Sequence, residues 1–216
     1  MRAHSFAAAL IPLVAATSWG QVPPNIDPKE IKEKVKQGVA DVLASSEEKT
    51  VSLEGIVKIT YKEMPTNPKK IAEILQQSGK LGQLPPNTDI DQYIGMFQND
   101  ITEMLNENLA NLGTIEALVP LKLRSKRIPV GTWNFGFAFD GERPIALVIT
   151  GEGLPKDGKP IPIELKTRSV DLQDVLSLEI VEPKKQKEGK EKFDIRVAFM
   201  RTVAQSKAKL ERTSAD

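Results

Sequence analysis

The fold is set by residues 131–140, which have the sequence GTWNFGFAFD. Small or polar residues separate aromatic side chains at every second position, namely Trp133, Phe135, Phe137 and Phe139. Because successive side chains of a β-strand point to opposite faces, this alternation predicts a strand with one aromatic face. We expect that face to lie in the core, where aromatic residues bury the most surface. The alternative is that Trp133 belongs to an exposed aromatic platform that binds a sugar or a peptide.

Turn residues bound this strand on both sides. Pro129 fixes its φ angle and Gly131 permits a φ that other residues avoid, so the chain is expected to turn as it enters the strand. Asp140 and Gly141 stand between two apolar runs, which is a hairpin signal. Five further strand candidates are found at residues 115–123, 144–151, 161–169, 175–183 and 192–203. Their spacing of roughly 10–15 residues predicts an antiparallel sandwich or barrel over residues 114–204.

Helical periodicity dominates residues 29–112. A helix start is predicted where Asp27 can cap, Pro28 suits the first helical position and Glu30 completes a capping box. Apolar residues then recur at helical spacing until about Ser45. Two further helices are predicted, over residues 68–78 and 88–112.

One strand interrupts this helical portion. Apolar and polar residues alternate over residues 51–62, with a slight break at Ile56, which predicts one long half-buried strand. We expect it to join the C-terminal sheet, which makes residues 29–210 a single domain. The predicted fold class is therefore α+β, with a C-terminal antiparallel β-sandwich of about seven strands packed with N-terminal helices. A tether is expected at residues 21–28 and a flexible tail at residues 205–216.

The segment IPVGTW at residues 128–133 resembles the aliphatic-Pro-small-Gly-Thr-aromatic hairpin of a family of uncharacterised secreted bacterial β-sandwich proteins, a domain of unknown function. Residues 57–61 are similar to an early strand of that family, and strands near residues 176–181 and 193–199 follow in a similar order. The resemblance implies a secreted β-sandwich, and it implies no catalytic residue because the family has no established activity. This chain departs from the family where two predicted helices replace a Trp-Arg-Thr-Gly-Ala-Asn-like middle motif.

Residues 1–20 have the three-part pattern of a secretory signal peptide. Arg2 precedes an apolar run over residues 6–16, and small residues then precede a cut before Gln21. The run is too short to span a membrane, which takes about 20 residues. We therefore expect a periplasmic or secreted protein with no membrane span in the mature chain.

Loss of this leader restricts the chemistry of the mature chain. His4 is the one histidine and the chain has no cysteine, so catalysis by Ser–His–Asp or Cys–His groups and typical zinc sites are not expected. With Arg2 removed, 29 Lys and Arg residues balance 29 Asp and Glu residues. This neutral balance gives no electrostatic reason to expect nucleic acid as a partner. No phosphate-binding glycine loop or calcium loop is present, so no cofactor or metal is expected.

Carboxylates are the remaining catalytic candidates. Asp140, Glu142 and Glu152 lie near predicted strand ends, and paired carboxylates can hydrolyse glycosides. Each acid also suits a solvated turn. The charged run at residues 184–192 is expected to be a solvated hairpin tip, and the alternative is a patch that binds a polyanion. We therefore expect a non-catalytic exported binding or structural module whose partner is an envelope protein, peptide or glycan. The alternative is a carboxylate-dependent envelope hydrolase of the glycosidase type.

Overall fold

The computed structural model describes residues 28–78, 95, 98–140, 143–154, 159–183 and 192–210. The expected signal peptide, and the tether up to residue 27, lie outside the described residues. The described helices are α1 (Pro28–Ala44), α2 (Pro68–Ser78) and α3 (Gln98–Leu109). The described strands are β1 (Glu47–Leu53), β2 (Val57–Glu63), β3 (Gly113–Ala117), β4 (Leu121–Leu123), β5 (Lys126–Ile128), β6 (Gly131–Asp140), β7 (Arg143–Thr150), β8 (Ile161–Glu164), β9 (Lys166–Val181) and β10 (Lys192–Leu210).

The described strands form two open antiparallel sheets, so the fold is α+β, as the sequence predicts. A six-stranded sheet has the order β1-β2-β3-β6-β7-β8, and a four-stranded sheet has the order β5-β4-β10-β9. The described chain thus contains ten strands rather than about seven. The predicted hairpin at Asp140-Gly141 is confirmed, because Asp140 pairs with Arg143 across the β6–β7 connection.

The prediction of one long strand over residues 51–62 is wrong. Residues 54–56 form a turn between β1 and β2, which pair antiparallel from Leu53–Val57 outwards. Gly55 has a φ of 69°, a left-handed conformation that glycine adopts without steric cost. The break in alternation at Ile56 was the sequence signal of this hairpin. β2 then pairs with β3, which places it in the same sheet as the aromatic strand β6.

Two other predicted strands are each divided between the sheets. Residues 115–123 contain the end of β3 in the six-stranded sheet and all of β4 in the four-stranded sheet, with Pro120 between them. Residues 161–169 likewise contain β8 and the start of β9, which separate at Leu165. The chain therefore crosses between the sheets within runs that hydrophobicity alone presents as continuous.

The helices begin and end near the predicted positions. α1 starts at Pro28, has Glu30 in its first turn and ends at Ala44. α2 covers the predicted residues 68–78. The third helix is described from Gln98, and Gly113, expected as its stop, already belongs to β3. In the described part of the chain, each helix is too short or too polar to cross a membrane.

The core lies between the two sheets and beneath the helices. Phe137 of β6 and Phe199 of β10 have ring centroids 5.4 Å apart, so the two sheets meet through aromatic contacts. Val39 and Leu43 of α1 are fully buried in the same apolar cluster. Tyr61 of β2 accepts a hydrogen bond at its hydroxyl from the backbone N–H of Leu178 in β9, at 3.3 Å. These contacts join the N-terminal elements to both sheets.

β10 is sharply bent near Met200. The Gln205 side-chain amide donates to Asp194 Oδ2 at 2.7 Å, although 11 positions separate the two residues in one strand. A straight strand of that length would hold them about 36 Å apart. We call residues 192–199 the first arm of β10 and residues 201–210 the second arm. The flexible tail expected at residues 205–216 is therefore a wrong prediction for residues 205–210, which belong to the second arm.

A buried threonine supports this bend. Thr66 is fully buried in the connection between β2 and α2. Its hydroxyl donates to the carbonyl of Gln173 in β9 and accepts from the backbone N–H of Met200, both at 3.1 Å. Met200 has a φ of 49°, and the pairing of β9 with β10 shifts register on both sides of it. One side chain thus links the backbones of β9 and β10 at the pair Met200–Gln173, where the ladder is irregular.

Candidate functional site

Trp133 lies in the core rather than on an exposed platform. Its side chain is 7% exposed, and Nε1 donates to the carbonyl of Pro129 at 3.0 Å. Gly131 and Gly151 flank the indole so closely that a Cβ at either position would come within 2.9 or 3.0 Å of the ring. Both glycines have positive φ, 141° and 151°, so the Pro-x-Gly turn and the end of β7 are shaped around this ring. A platform for a sugar or peptide would need an open ring face, which this packing does not provide.

The structure does not bring the described carboxylate candidates together. Asp140 pairs with Arg143 at one end of β7, and Glu152 follows Thr150 at the other end. The 8 residues of β7 hold these positions roughly 27 Å apart at the usual rise of a strand. The carboxyl groups of glycosidases stand about 5–10 Å apart. Glu142 lies outside the described residues, and the described residues contain no group of three or more potential metal ligands.

A concave surface lies where the two sheets meet near β8 and the β4–β5 hairpin. A groove of about 890 Å³ is bounded by β8 of the six-stranded sheet and by β4, β5 and both ends of β9 and β10 in the four-stranded sheet. Seven basic and three acidic side chains line it. We call this surface the lysine groove, after its five lysines that form no ion pair with a described residue: Lys122, Lys126, Lys166, Lys207 and Lys209.

Strand register sets the positions of these lysines. Lys209 of β10 is directly opposite Lys122 of β4 in the antiparallel ladder. Lys166 of β9 is opposite Gln205, which is two positions from Lys207 and four from Lys209. Because alternate residues of a strand share a face, these four lysines lie on one face of the four-stranded sheet.

Hydrogen bonds engage two of the three acidic lining residues. Glu164 of β8 accepts from Arg124 at 2.7 Å, which links the two sheets along the groove. Arg124 occupies the two-residue turn between β4 and β5 with a φ of 51°, as tight hairpin turns require. Asp194 accepts from Gln205 at 2.7 Å, which holds the two arms of β10 together beside the groove. The bend of β10 therefore forms this surface.

This groove was not predicted from the sequence. Its lysines come from three separate stretches of the chain, near residues 122–126, 166 and 207–209, and the neutral total charge conceals their convergence. A signal was present in residues 206–210, SKAKL, where lysines alternate with small residues as on a strand with one cationic face. The charged run expected as a hairpin tip, residues 184–192, joins the two groove-lining residues Pro183 and Lys192, and residues 184–191 lie outside the described part.

The perturbed carboxylate of the described chain lies away from the groove. Lys32 and Lys36 of α1 lie 2.9 and 3.1 Å from the carboxylate of Asp100 in α3. These hydrogen bonds, from Lys32 first, hold the pKa of Asp100 below its usual value. Because the pKa is lowered on folding, this contribution to stability exists above the unfolded pKa and is lost as the pH falls through the folded pKa. The contact docks α3 on α1.

Comparison of the chain with protein-family models, with curated proteins and with solved structures found no match.

Proposed function

We propose that the protein is an exported, non-catalytic binding module and that the lysine groove is its ligand site. The observation that carries the proposal is that five lysines without ion-pair partners among the described residues line one concave surface, four of them from one face of the four-stranded sheet. Clefts lined by charge of one sign concentrate ligands of the opposite sign. The partner classes expected from the sequence are an envelope protein, a peptide or a glycan.

Export rests on the leader pattern at residues 1–20, with a periplasmic or extracellular location as its consequence. The resemblance to secreted β-sandwich proteins supports the same location, and two sheets around one apolar core are compatible with the sandwich that the resemblance implies. Sequencing the N-terminus of the protein recovered outside the cytoplasm tests this part. A product that begins near Gln21 supports export, and a product that retains Met1 contradicts it.

Binding is favoured over catalysis by the composition of the groove. Its described lining contains no histidine or cysteine, and Glu164 and Asp194 already accept hydrogen bonds from Arg124 and Gln205. General acid–base catalysis needs a group that can exchange a proton at the reacting atoms. Point charges on lysines instead suit retention of an anionic ligand.

A cysteine-based crosslink tests the groove directly, because the chain has no native cysteine. Ser125 is exposed in the β4–β5 turn and lines the groove, so Ser125→Cys carrying a photoreactive label should crosslink the ligand in an envelope fraction. Ser52→Cys is the matched control, since Ser52 is also exposed but lies on β1, outside the groove lining. Equal crosslinking from both positions, or none from Ser125→Cys, would contradict the proposed site.

A further inference from the structure

Four lysines of the groove, Lys122, Lys166, Lys207 and Lys209, are spread along one face of the four-stranded sheet, and we call them the lysine row. Lys166 stands opposite Gln205, and Lys207 and Lys209 follow on the same face of β10. The five residues from 205 to 209 cover about 13 Å of strand. Lys122 extends the row sideways onto β4. A ligand that meets all four ammonium groups must itself carry several negative charges along its length.

This row is unfavourable without a ligand. Like charges directly opposite in a sheet destabilise the pairing, and Lys122 faces Lys209 on one side and Arg127 on the other. The lining acids Glu164 and Asp194 are directed to Arg124 and Gln205 instead. Three acidic side chains of the lining stand against seven basic ones, so the described part of the groove carries an excess of positive charge.

Resting on the proposed function, we propose that the lysine groove binds an acidic polysaccharide, a chain whose carboxylate groups repeat along its length. The ammonium group of a lysine is a point charge on a flexible side chain, whereas an arginine guanidinium presents its donors in a fixed planar geometry. Lysines can therefore pair with a series of anions that are not arranged in one exact geometry. Several weak contacts along one chain then add up to a stable complex through multivalency.

Three features of the lining favour a polysaccharide over other polyanions. Single-stranded nucleic acid is held by aromatic side chains that stack on bases, and the one aromatic residue of the described lining, Phe193, is 1% exposed. A membrane surface suits a convex face with apolar side chains, whereas the exposed large apolar residues lie outside the groove lining: Leu118, Val130, Ile145 and Val175. An acidic peptide that adds a strand by backbone pairing is disfavoured at two of the edges that bound the groove, because Pro162 interrupts the edge strand β8 and β5 has 3 residues.

The binding test uses the full chain and polygalacturonate as the probe, followed by calorimetry. We expect binding that weakens strongly as salt rises from about 50 to about 200 mM, as for other polyanion complexes. Monomeric galacturonate should bind at least about 100-fold more weakly, because it loses multivalency. Neutral dextran should not bind. Equal affinity for the monomer, or binding of dextran, would overturn the proposal.

Charge reversal on the row tests the residues. In Lys207→Glu/Lys209→Glu, the new carboxylate at position 209 faces Lys122, so the ladder gains an attractive pair while the row is broken. Affinity for polygalacturonate should fall at least about tenfold, which is a loss of 1.4 kcal/mol, with the thermal midpoint maintained. The matched control, Lys69→Glu/Lys159→Glu, makes the same change in net charge at two exposed lysines outside the groove lining and should retain affinity. Equal losses in both variants, or a fall in midpoint with unchanged affinity, would refute the assignment.

The outcomes also separate this inference from the proposed function. Tighter binding of oligothymidylate, poly-glutamate or phosphatidylglycerol vesicles than of polygalacturonate would overturn the ligand class. If Ser125→Cys crosslinks a ligand while polygalacturonate fails to bind, the groove remains the site and the ligand class is wrong. If neither occurs, the proposed function fails as well.

Discussion

The two arms of β10 are built from different side chains. The first arm buries large residues at odd positions, from Phe193 to Phe199, and these fill the space between the sheets. The second arm buries small residues at even positions, namely Ala204, Ser206 and Ala208, and exposes Lys207 and Lys209. The change from odd to even buried positions falls between Val203 and Ala204, just after the bend around Met200.

The difference shows that stability and ligand recognition are separated along one strand. Burial of an aromatic side chain contributes several times more hydrophobic free energy than burial of an alanine, because the free energy scales with apolar area. The first arm therefore holds the sheets together. The second arm contributes less to the core, and its other face is free to carry the cations of the lysine groove.

The largest expected effect comes from breaking the first arm at Phe199. This side chain is fully buried and contacts the rings of Phe137 and Phe139 at centroid distances of 5.4 and 6.2 Å. Phe199→Ala should lower the free energy of unfolding by about 3–5 kcal/mol, because a cavity replaces the ring. Urea unfolding measures this loss. The control Leu118→Ala, at a side chain 47% exposed, should change stability by less than about 0.5 kcal/mol. Similar losses in both variants would contradict the central place of the first arm.

The contrast between the arms also explains what the sequence could predict. The strand β6 and the first arm were predictable because large apolar residues alternate without interruption. The second arm was missed because its buried positions hold Ala and Ser, whose weak hydrophobicity resembles that of a polar tail. The β1–β2 hairpin was missed because alternation continues through its turn, with only Gly55 and Ile56 as signals.

The candidate site was harder to predict than the fold. Trp133 was expected in the core, and its position between two glycines follows from the Pro-x-Gly turn that the sequence shows. The lysine groove depends on the bend of β10, which brings Asp194 to Gln205. No local pattern encodes that bend, because the hydroxyl that supports it belongs to Thr66, more than a hundred positions away.

An intermediate effect is expected at the junction of the arms. Thr66→Val keeps the size of the side chain but leaves the N–H of Met200 and the carbonyl of Gln173 without their hydroxyl partner. Loss of such buried hydrogen bonds should cost about 1–3 kcal/mol. Hydrogen exchange at the Met200 amide should accelerate in the same variant, since the bend opens more readily.

Thr66→Ser is the matched control, because it keeps the hydroxyl and removes one methyl group, worth about 1 kcal/mol. It should retain slow exchange at Met200. If Thr66→Ser accelerates this exchange as much as Thr66→Val, packing rather than hydrogen bonding maintains the bend.

The smallest expected effect on stability comes from Ser206 in the second arm. Ser206 is 1% exposed and its hydroxyl has no hydrogen-bond partner among the described residues. A buried hydroxyl without a partner opposes folding, so Ser206→Ala should leave stability unchanged or raise it by up to about 1 kcal/mol. Ser206→Val should instead lower stability by about 1–3 kcal/mol, because the larger side chain overpacks the core. Thermal unfolding of both variants measures the two signs. If Ser206→Val is the more stable of the two, the second arm has room for a larger core residue, and close packing is not the reason that its buried positions are small.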